Sequence, residues 1–263
     1  NKYSAEKAFA MVSVNPLNGP ESADGSIYDP DPQKADFPSY KENVFYYTYA
    51  NTVMIVLNPN YWYSPSRRSL SVMGGNLHGY IMDNQLEWLR GVLARFEEDD
   101  KFDNIFITLH TPAFPNGGHS KDDMWYLGEN EWRPYVAGKP VDKGIIERRD
   151  EFLDLCINQS SKVVAILAGD EHNYSRMKIT AETPIYPNDW QGERLEISRP
   201  LWHITNGSAG APYYGQEELP WSGSVERFST QYALCFFHIE GDEVVIEVID
   251  PDTLQEIEKV KLK

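Results

Sequence analysis

Residues 161–175 read SKVVAILAGDEHNYS, a buried strand followed at once by acidic residues and a histidine, which indicates an α/β sheet with a site at its edge. The apolar run VVAIL (163–167) is short and β-branched, which predicts an interior strand, and Gly169 marks the turn out of the sheet. Ligands in open α/β sheets bind where strands end. On an extended backbone Asp170 and His172 project to the same side, so both could reach one cluster. A surface turn whose Asp and His only face water is the alternative.

The composition indicates a folded, acidic, globular protein. The chain has 263 residues, of which 41% are hydrophobic and 13% aromatic, enough for a substantial core in one or two domains. Its formal net charge of -16 disfavours a nucleic-acid groove and electrostatic binding to anionic lipid, because both partners attract Lys and Arg. An acidic protein that binds phosphate must offset the repulsion between its own negative charge and that of the phosphate, and bound cations are the commonest way.

The cysteines and the apolar segments bear on location. Cys156 and Cys235 each lie in an apolar context, which favours buried free thiols, and one disulfide between them is the alternative. No apolar run approaches the roughly 20 residues that a membrane-spanning helix needs. The opening NKYSAEKAF lacks the basic start and apolar centre of a signal peptide, although the chain need not begin at the native start.

The hydrophobic pattern along the chain alternates strands and helices. Residues 1–40 are rich in turn formers, so we expect a long surface loop there. Residues 44–58 predict two strands joined by a tight turn, and residues 82–100 predict an amphipathic helix. The other predicted elements are a strand at 104–110, a helix at about 145–157, a strand and Gly-rich loop within 195–215, and short strands to the end. This order predicts a mixed α/β (α+β) sandwich.

Two of the six histidines share an arrangement. His110 follows an apolar strand in LHTPAF, and His172 follows another in LAGDEH. Successive strand-helix-strand units place such strand ends along one edge of a sheet. Imidazole and carboxylate together suit Zn, Fe or Mn, so this pair with Asp170 predicts a metal site, with structural roles for single histidines as the alternative. The histidines assigned to structure are His78, His203 and His238, the last inside the apolar strand CFFHIE.

These residues resemble the calcineurin-like metallophosphoesterases, most nearly their purple-acid-phosphatase-like branch. That family has ordered motifs around two metal ions: Asp-x-His, Gly-Asp-x-x-Asp, Gly-Asn-His, a strand-end His-x-Pro, and Gly-His-x-His. LHTPAF resembles the fourth through His110 and Pro112, and GDEH resembles the fifth with Asp170 in place of its first histidine. YTYANTVMIVLN, DNQLEWLRGVL and ITNGSAGAPYY also resemble family segments, so the resemblance covers roughly residues 8 to 250.

The first three motifs have no match ahead of the predicted strands. GGNLHG at 74–79 resembles Gly-Asn-His only by accident and is expected on the wrong side of the strands. In the family these motifs precede the loop that contains NGP, near which this chain begins. The resemblance therefore implies that residues 1–263 form a single metallophosphoesterase domain whose N-terminal, motif-bearing part is absent. They would be the C-terminal part of a four-layer α/β/β/α sandwich.

The resemblance implies phosphomonoester or diester hydrolysis at two ions of Fe, Mn or Zn, about 3.5–4 Å apart, which polarise the phosphoryl group and activate a water. His110 and Asp170 would hold one metal and His172 the other. His119 would protonate a leaving group or grip phosphate, and Tyr174 would line the substrate cleft. The alternatives are an Asp170 that points away, a solvated His119 and a Tyr174 that only packs.

The sequence is compatible with three functions. The first is a phosphoesterase whose remaining ligands come from a missing N-terminal segment, so that this chain alone is expected to be inactive. The second is a non-catalytic binding or structural module that kept the fold, and the third is a one-ion hydrolase. Expected partners are a phosphorylated small molecule, the missing segment and, through a bare sheet edge, a second copy. Neither nucleic acid nor a membrane is expected, and the family branch implies a secreted or periplasmic location.

Overall fold

The fold is built around a seven-stranded mixed sheet. The computed structural model describes residues 5–24 and 37–263. The strands are β1 (Phe45–Tyr49), β2 (Thr52–Val56), β3 (Asn104–Leu109), β4 (Tyr135–Val136), β5 (Lys139–Pro140), β6 (Val163–Ala168), β7 (Tyr174–Ile179), β8 (Leu201–Asn206), β9 (Val225–Ser229), β10 (Leu234–Glu240), β11 (Glu243–Ile249) and β12 (Glu256–Lys261). The α-helices are α1 (Ala5–Val12), α2 (Leu70–Met73), α3 (Asp83–Glu98) and α4 (Ile145–Ile157). Short 3-10 turns occur at Arg67–Ser69, Tyr126–Gly128 and Ser222–Ser224.

The centre of the main sheet is parallel. Its strand order is β1-β2-β3-β6-β8-β7-β9, in which β2, β3, β6 and β8 run in one direction and β1, β7 and β9 pair antiparallel with their neighbours. Strands β3 and β6 are apolar and almost completely buried, as expected for parallel strands that are covered on both faces. The carboxyl ends of the four parallel strands therefore share one edge.

Two hydrophobic cores cover the two faces of this sheet. On one face, the predicted apolar stripe of α3 and the apolar side chains of α4 pack with strand residues such as Ile105 and Ile107. On the other face, Phe106 and Ala165 pack with residues such as Ile246 from an antiparallel sheet of order β10-β11-β12. The described residues form an α/β/β arrangement of layers, and the predicted mixed α/β class is confirmed.

Two parts of the chain differ from the expected elements. Residues predicted as a surface loop include helix α1, where the buried carboxylate of Glu6 accepts the backbone N–H of Trp62 at 2.7 Å. Part of that predicted loop, residues 25–36, lies outside the described residues. Strands β7 and β9 are not predicted from the sequence, yet they extend the main sheet beyond β8.

The structure also bears on the membrane and the cysteines. Within the described ranges, no helix combines the length and the apolar character that crossing a bilayer requires. Cys156 and Cys235 are both free thiols, and Cys156 is buried as expected from its apolar context.

Candidate metal centre

The candidate centre begins at two neighbouring strand ends. Strands β3 and β6 are parallel neighbours with Leu109 opposite Ala168, so His110 and Asp170 leave the same edge of the sheet. The backbone N–H of Gly169 donates to the carbonyl oxygen of His110 at 2.9 Å, and this bond joins the segments that follow β3 and β6. Nε2 of His110 lies 3.2 Å from Oδ1 of Asp170. The structure thus brings these two predicted ligands together.

Asp170 is surrounded by three imidazoles. Besides His110, Nε2 of His119 lies 3.6 Å from its Oδ1, and Nε2 of His78 lies 3.2 Å from its Oδ2. Burial by itself would raise the pKa of Asp170, but the hydrogen bond from His110 and the charges of the three imidazoles outweigh it and lower the pKa to about 2. The carboxylate is therefore ionised at neutral pH, which is the form that binds metal.

Asp123 is a second carboxylate beside the same histidines. Its side chain is 0% exposed, and its Oδ1 lies 3.3 Å from Nδ1 of His78. Neither carboxylate oxygen of Asp123 has a hydrogen-bond partner, and the same is true of Nδ1 of His78 and Oδ2 of Asp170. Burial, and after it the charge of Asp170, raises the pKa of Asp123 well above its ordinary value. Because buried carboxylates are normally paired or bound to metal, these orphaned atoms fit a cation.

Neighbouring loops fix the backbone around His78. The Tyr126 hydroxyl donates to the carbonyl of His78 at 3.0 Å, and the backbone N–H of Gly79 donates to Oδ1 of Asn60 at 3.0 Å. Gly79 has a φ of +86°, and a Cβ at this position would lie 2.5 Å from the backbone oxygen of Asp123. Only glycine permits this close approach, which places His78 and Asp123 side by side.

Both carboxylates of the cluster have a left-handed backbone. Asp123 has a φ of 53° and Asp170 a φ of 66°. Asp enters this region more readily than most residues do, and conformations of this kind are concentrated at functional sites. The two side chains are therefore directed by turns and not by the alternation of a strand.

A buried carboxylate positions the loop that carries His119. Oε1 of Glu171 accepts the backbone N–H groups of Asn116, Gly117 and His119 at 3.0, 3.0 and 3.3 Å. Nδ1 of His119 lies 3.1 Å from Oδ1 of Asp122, and this contact raises the pKa of His119. The loop is thus held against the end of β6, with the imidazole oriented by its own acidic neighbour.

The donor atoms suit a metal ion in type and spacing. Imidazole nitrogen and carboxylate oxygen are donors that Zn, Mn and Fe accept. Two ligands at about 2.0–2.2 Å from a tetrahedral ion lie about 3.3 Å apart, and the contacts of His78 and His110 with the carboxylates measure 3.2–3.3 Å. Among the described residues, three groups of ligand atoms lie within 4.8 Å of one another: His78, His110 and Asp170; His78, Asp122 and Asp123; His119, Asp123 and Asp170.

A cleft of about 450 Å³ adjoins the centre. Its walls are mostly apolar and come from the ends of the parallel strands and from β10, with Cys235 and Phe237 on the β10 side. His110 and Gly169 line the cleft, and the side chain of His110 is 59% exposed. The polar groups of the strand ends are therefore accessible to a small molecule from this side.

His172 lies outside the three ligand groups of the described residues. Its ring stacks on Tyr214 with centroids 4.2 Å apart, and its Nδ1 lies 2.6 Å from the carbonyl oxygen of Pro212. The expected alternation requires an extended backbone at 170–172, and the left-handed φ of Asp170 interrupts it. A metal role for His172 stays a prediction.

Tyr174 is not brought to the centre either. It is fully buried in β7 and packs in the core that faces the three-stranded sheet. Its hydroxyl donates to the carboxylate of Glu258 in β12. Because the ring is enclosed between the two sheets, this position gives no support to the expected contact with substrate.

Two residues of the cluster were not predicted from the sequence. His78 was assigned to structure, whereas it lies between the carboxylates of Asp123 and Asp170. The signal that could have identified it is a polar histidine between two glycine turns in GGNLHGY. Asp123 belongs to the acidic pair of KDDMW, a pattern that is common on protein surfaces and gives no hint of its burial.

The two other histidines assigned to structure differ from each other. His203 is a buried core histidine: its Nε2 accepts the backbone N–H of Ala113 at 3.2 Å, and burial lowers its pKa to about 3. His238 is instead 52% exposed, with Nε2 2.8 Å from Oε2 of Glu247. Strand β10 alternates between the core and solvent, and His238 falls on the solvent side.

Comparisons with known proteins show the fold. No family model and no curated protein match this chain. The purple acid phosphatase PPD1 from yellow lupin (Lupinus luteus) seeds matches with a TM-score of 0.50 and 13% identity, over 88% of this chain and 35% of that one. The Plasmodium protein GAP50, the anchor in the inner membrane complex, matches with a TM-score of 0.43 and 13% identity, over 84% and 53%. PhoD matches with a TM-score of 0.40 and 11% identity, over 85% of this chain and 44% of that one.

This chain therefore spans about a third of the lupin enzyme and about half of the other two proteins. At these identities, the similarity to the lupin phosphatase establishes a metallophosphoesterase-like fold and no more. Function has to be inferred from the residues at the strand ends.

Proposed function

We propose that this chain is part of a metal-dependent phosphoesterase that hydrolyses phosphomonoesters or diesters of small molecules. The observation that carries this function is the carboxylate of Asp170 surrounded by His78, His110 and His119. The cluster lies at the carboxyl edge of a parallel sheet, where open α/β sheets bind ligands. The fold shared with a purple acid phosphatase supports the same class of reaction.

The donors fit Fe, Mn or Zn, and the resemblance implies two such ions. When bound, they would neutralise the phosphoryl oxygens and lower the pKa of a water toward neutrality. His110 and Asp170 would hold one ion and His172 the other. Metal-binding histidines usually donate their second ring N–H to a carbonyl or carboxylate. The contact between His172 Nδ1 and the Pro212 carbonyl is of this kind, and it leaves Nε2 for a metal.

His119 would supply the proton that the leaving alcohol needs. Its Nε2 faces the centre at 3.6 Å from Asp170, while Asp122 at Nδ1 raises the pKa of the ring and favours the protonated form. Protonation of the ester oxygen by Nε2 of His119 would release the alcohol without the cost of an alkoxide. Glu171 would keep the His119 loop in place through the three backbone N–H groups that it accepts.

The partners follow from the same reaction. The substrate would be a phosphorylated small molecule that enters the cleft beside His110, and the remaining ligands would come from an N-terminal segment of the same polypeptide. This chain by itself would then have little activity, because metal affinity depends on a complete ligand set. The family branch makes a secreted or periplasmic location part of the proposal.

Hydrolysis of p-nitrophenyl phosphate and bis-p-nitrophenyl phosphate by the full-length polypeptide, with Mn²⁺, Zn²⁺ or Fe added, tests the function. We expect metal-dependent hydrolysis, and we expect His110→Ala to lower kcat/KM at least about 100-fold because a ligand is lost. His238→Ala is the matched control, since it also removes a half-exposed histidine that contacts a carboxylate.

Two results would contradict this function. The first is a wild-type protein that hydrolyses neither ester with any of the metals, which would favour a non-catalytic module that kept the fold. The second is a rate that His110→Ala leaves at the level of His238→Ala.

A further inference from the structure

We propose that His78, Asp122 and Asp123 form a further site for one divalent cation of the zinc and manganese class, next to the ion that His110 and Asp170 would hold. The three residues offer ligand atoms within 4.8 Å of one another, on the side of His78 that faces away from Asp170. None of them belongs to the motifs that resemble the metallophosphoesterase family. The site does not depend on the proposed hydrolysis.

The orphaned atoms of Asp123 and His78 carry this inference. Asp123 is fully buried, and both of its carboxylate oxygens lack a hydrogen-bond partner. Nδ1 of His78 is also buried and unpartnered, and it faces Oδ1 of Asp123 at 3.3 Å without forming a hydrogen bond. An imidazole nitrogen and a carboxylate oxygen that share one tetrahedral ion lie about this far apart.

The second nitrogen of His78 supports a ligand role. Histidines that bind metal commonly present their other ring nitrogen to a carboxylate, which fixes the tautomer and the orientation of the ring. Nε2 of His78 lies 3.2 Å from Oδ2 of Asp170. Both ring nitrogens of His78 therefore face carboxylates, and Nδ1 is the one that faces Asp123.

The charges also favour a divalent ion. Asp122 and Asp123 are adjacent carboxylates, and the carboxylate of Asp170 lies on the other side of the His78 ring. A divalent cation would make the group of two carboxylates and one imidazole neutral. Asp122 is about one-third exposed, so the ion could enter from its side.

Zinc binding to the full-length polypeptide, after treatment with a chelator, tests the site. Equilibrium dialysis with metal analysis would count the ions, and thermal unfolding with and without Zn²⁺ or Mn²⁺ would report their effect on Tm. We expect Asp123→Asn to bind one ion fewer than the wild type and to lose the corresponding rise in Tm. Without metal, its Tm should stay close to that of the wild type, because an amide of the same shape replaces a carboxyl group that has no hydrogen-bond partner.

His110→Ala is the matched control, since His110 contacts Asp170 but belongs to no ligand group with Asp123. It should lower the proposed hydrolysis at least about 100-fold and keep the ion beside Asp123, so failure of the function and failure of this site are distinguishable. If Asp123→Asn does not fold, Asp122→Asn at the partly exposed ligand should weaken the same ion about 10- to 100-fold. Wild-type stoichiometry and Tm response in Asp123→Asn, or in Asp122→Asn where Asp123→Asn does not fold, would overturn the site. So would a wild type that binds no ion there, in which case Asp123 carries a proton.

Discussion

The polar network between the two sheets and the cluster around Asp170 both contain buried charged groups, Arg176 in the first and Asp123 in the second, but these groups are paired differently. In the network, the guanidinium of Arg176 donates to both carboxylate oxygens of Glu258 at 3.0 and 3.1 Å and to Glu226. Tyr174 donates to the same Glu258 carboxylate. In the cluster, carboxylates face imidazoles, and several buried atoms have no partner.

The difference in pairing suggests that the network serves the stability of the fold and that the cluster serves the binding of a ligand. A polar group that is buried with all of its partners fixes the packing of the elements around it. A polar group that is buried without partners costs stability, and it persists where a ligand or a reaction requires it. Changes in the network should therefore alter the free energy of unfolding, and changes in the cluster should alter ion binding.

Breaking the network should give the largest effect on stability. Arg176 is 5% exposed, and Arg176→Met would leave Glu258 largely buried without its counter-charge. We expect a loss of about 3–5 kcal/mol in the free energy of unfolding, measured by urea denaturation. Lys259→Met, at a half-exposed lysine that pairs with Glu247, is the control and should change little. If Arg176→Met and Lys259→Met lowered the free energy of unfolding equally, the buried network would not be the source of stability that we infer.

The next largest expected effect on stability is its pH dependence at His203, a buried histidine outside the cluster. His203 has a pKa of about 3 in the folded protein, and burial is the cause, whereas an unfolded histidine titrates near 6.5. The unfolded state therefore binds one more proton between these values, so this stabilisation is present above pH 6.5 and is lost as the pH falls. From about pH 7.5 to pH 5 the loss should reach about 2 kcal/mol.

His203→Gln is the test of this pH dependence. The amide oxygen of Gln can accept the Ala113 N–H but does not titrate, so the variant should lack this part of the acid sensitivity. Urea denaturation at the two pH values measures the difference. An unchanged pH dependence in His203→Gln would show that other groups cause it.

The smallest of the three effects is expected at Tyr174. Tyr174→Phe removes one hydrogen bond to a carboxylate that Arg176 still pairs, so the expected loss of stability is about 1.5 kcal/mol. Ion binding and ester hydrolysis should be unchanged, because the ring is enclosed between the sheets. If Tyr174→Phe lowered the rate of hydrolysis without changing stability, the result would instead support the expected contact of Tyr174 with substrate.

Much of the fold could be predicted because its central elements have strong local patterns. The apolar runs of β3 and β6 and the stripe of α3 determine their own burial, and the structure has them close to the predicted positions. His110 and Asp170 meet because residues that follow neighbouring parallel strands must leave the same edge. This half of the cluster depends on topology, which the sequence pattern indicates.

The other half of the cluster depends on turns, whose geometry is set by distant contacts. His78 reaches Asp170 because Gly79 lies against the backbone of Asp123, a contact between segments far apart in the chain. A left-handed φ at Asp170 interrupts the alternation on which the expected convergence of His172 depends. Neither feature leaves a periodic signal, so the sequence predicted only part of the cluster around Asp170.

The parallel pairing of β3 with β6 has a consequence for how the protein folds. The two strands are separated by a long excursion of the chain, so their pairing closes a large loop and belongs to the slow, non-local steps of folding. His110 and Asp170 meet only after that step. A cation held between these two residues would therefore stabilise the finished protein without nucleating its folding, and its uptake during refolding would report the closure of the central sheet.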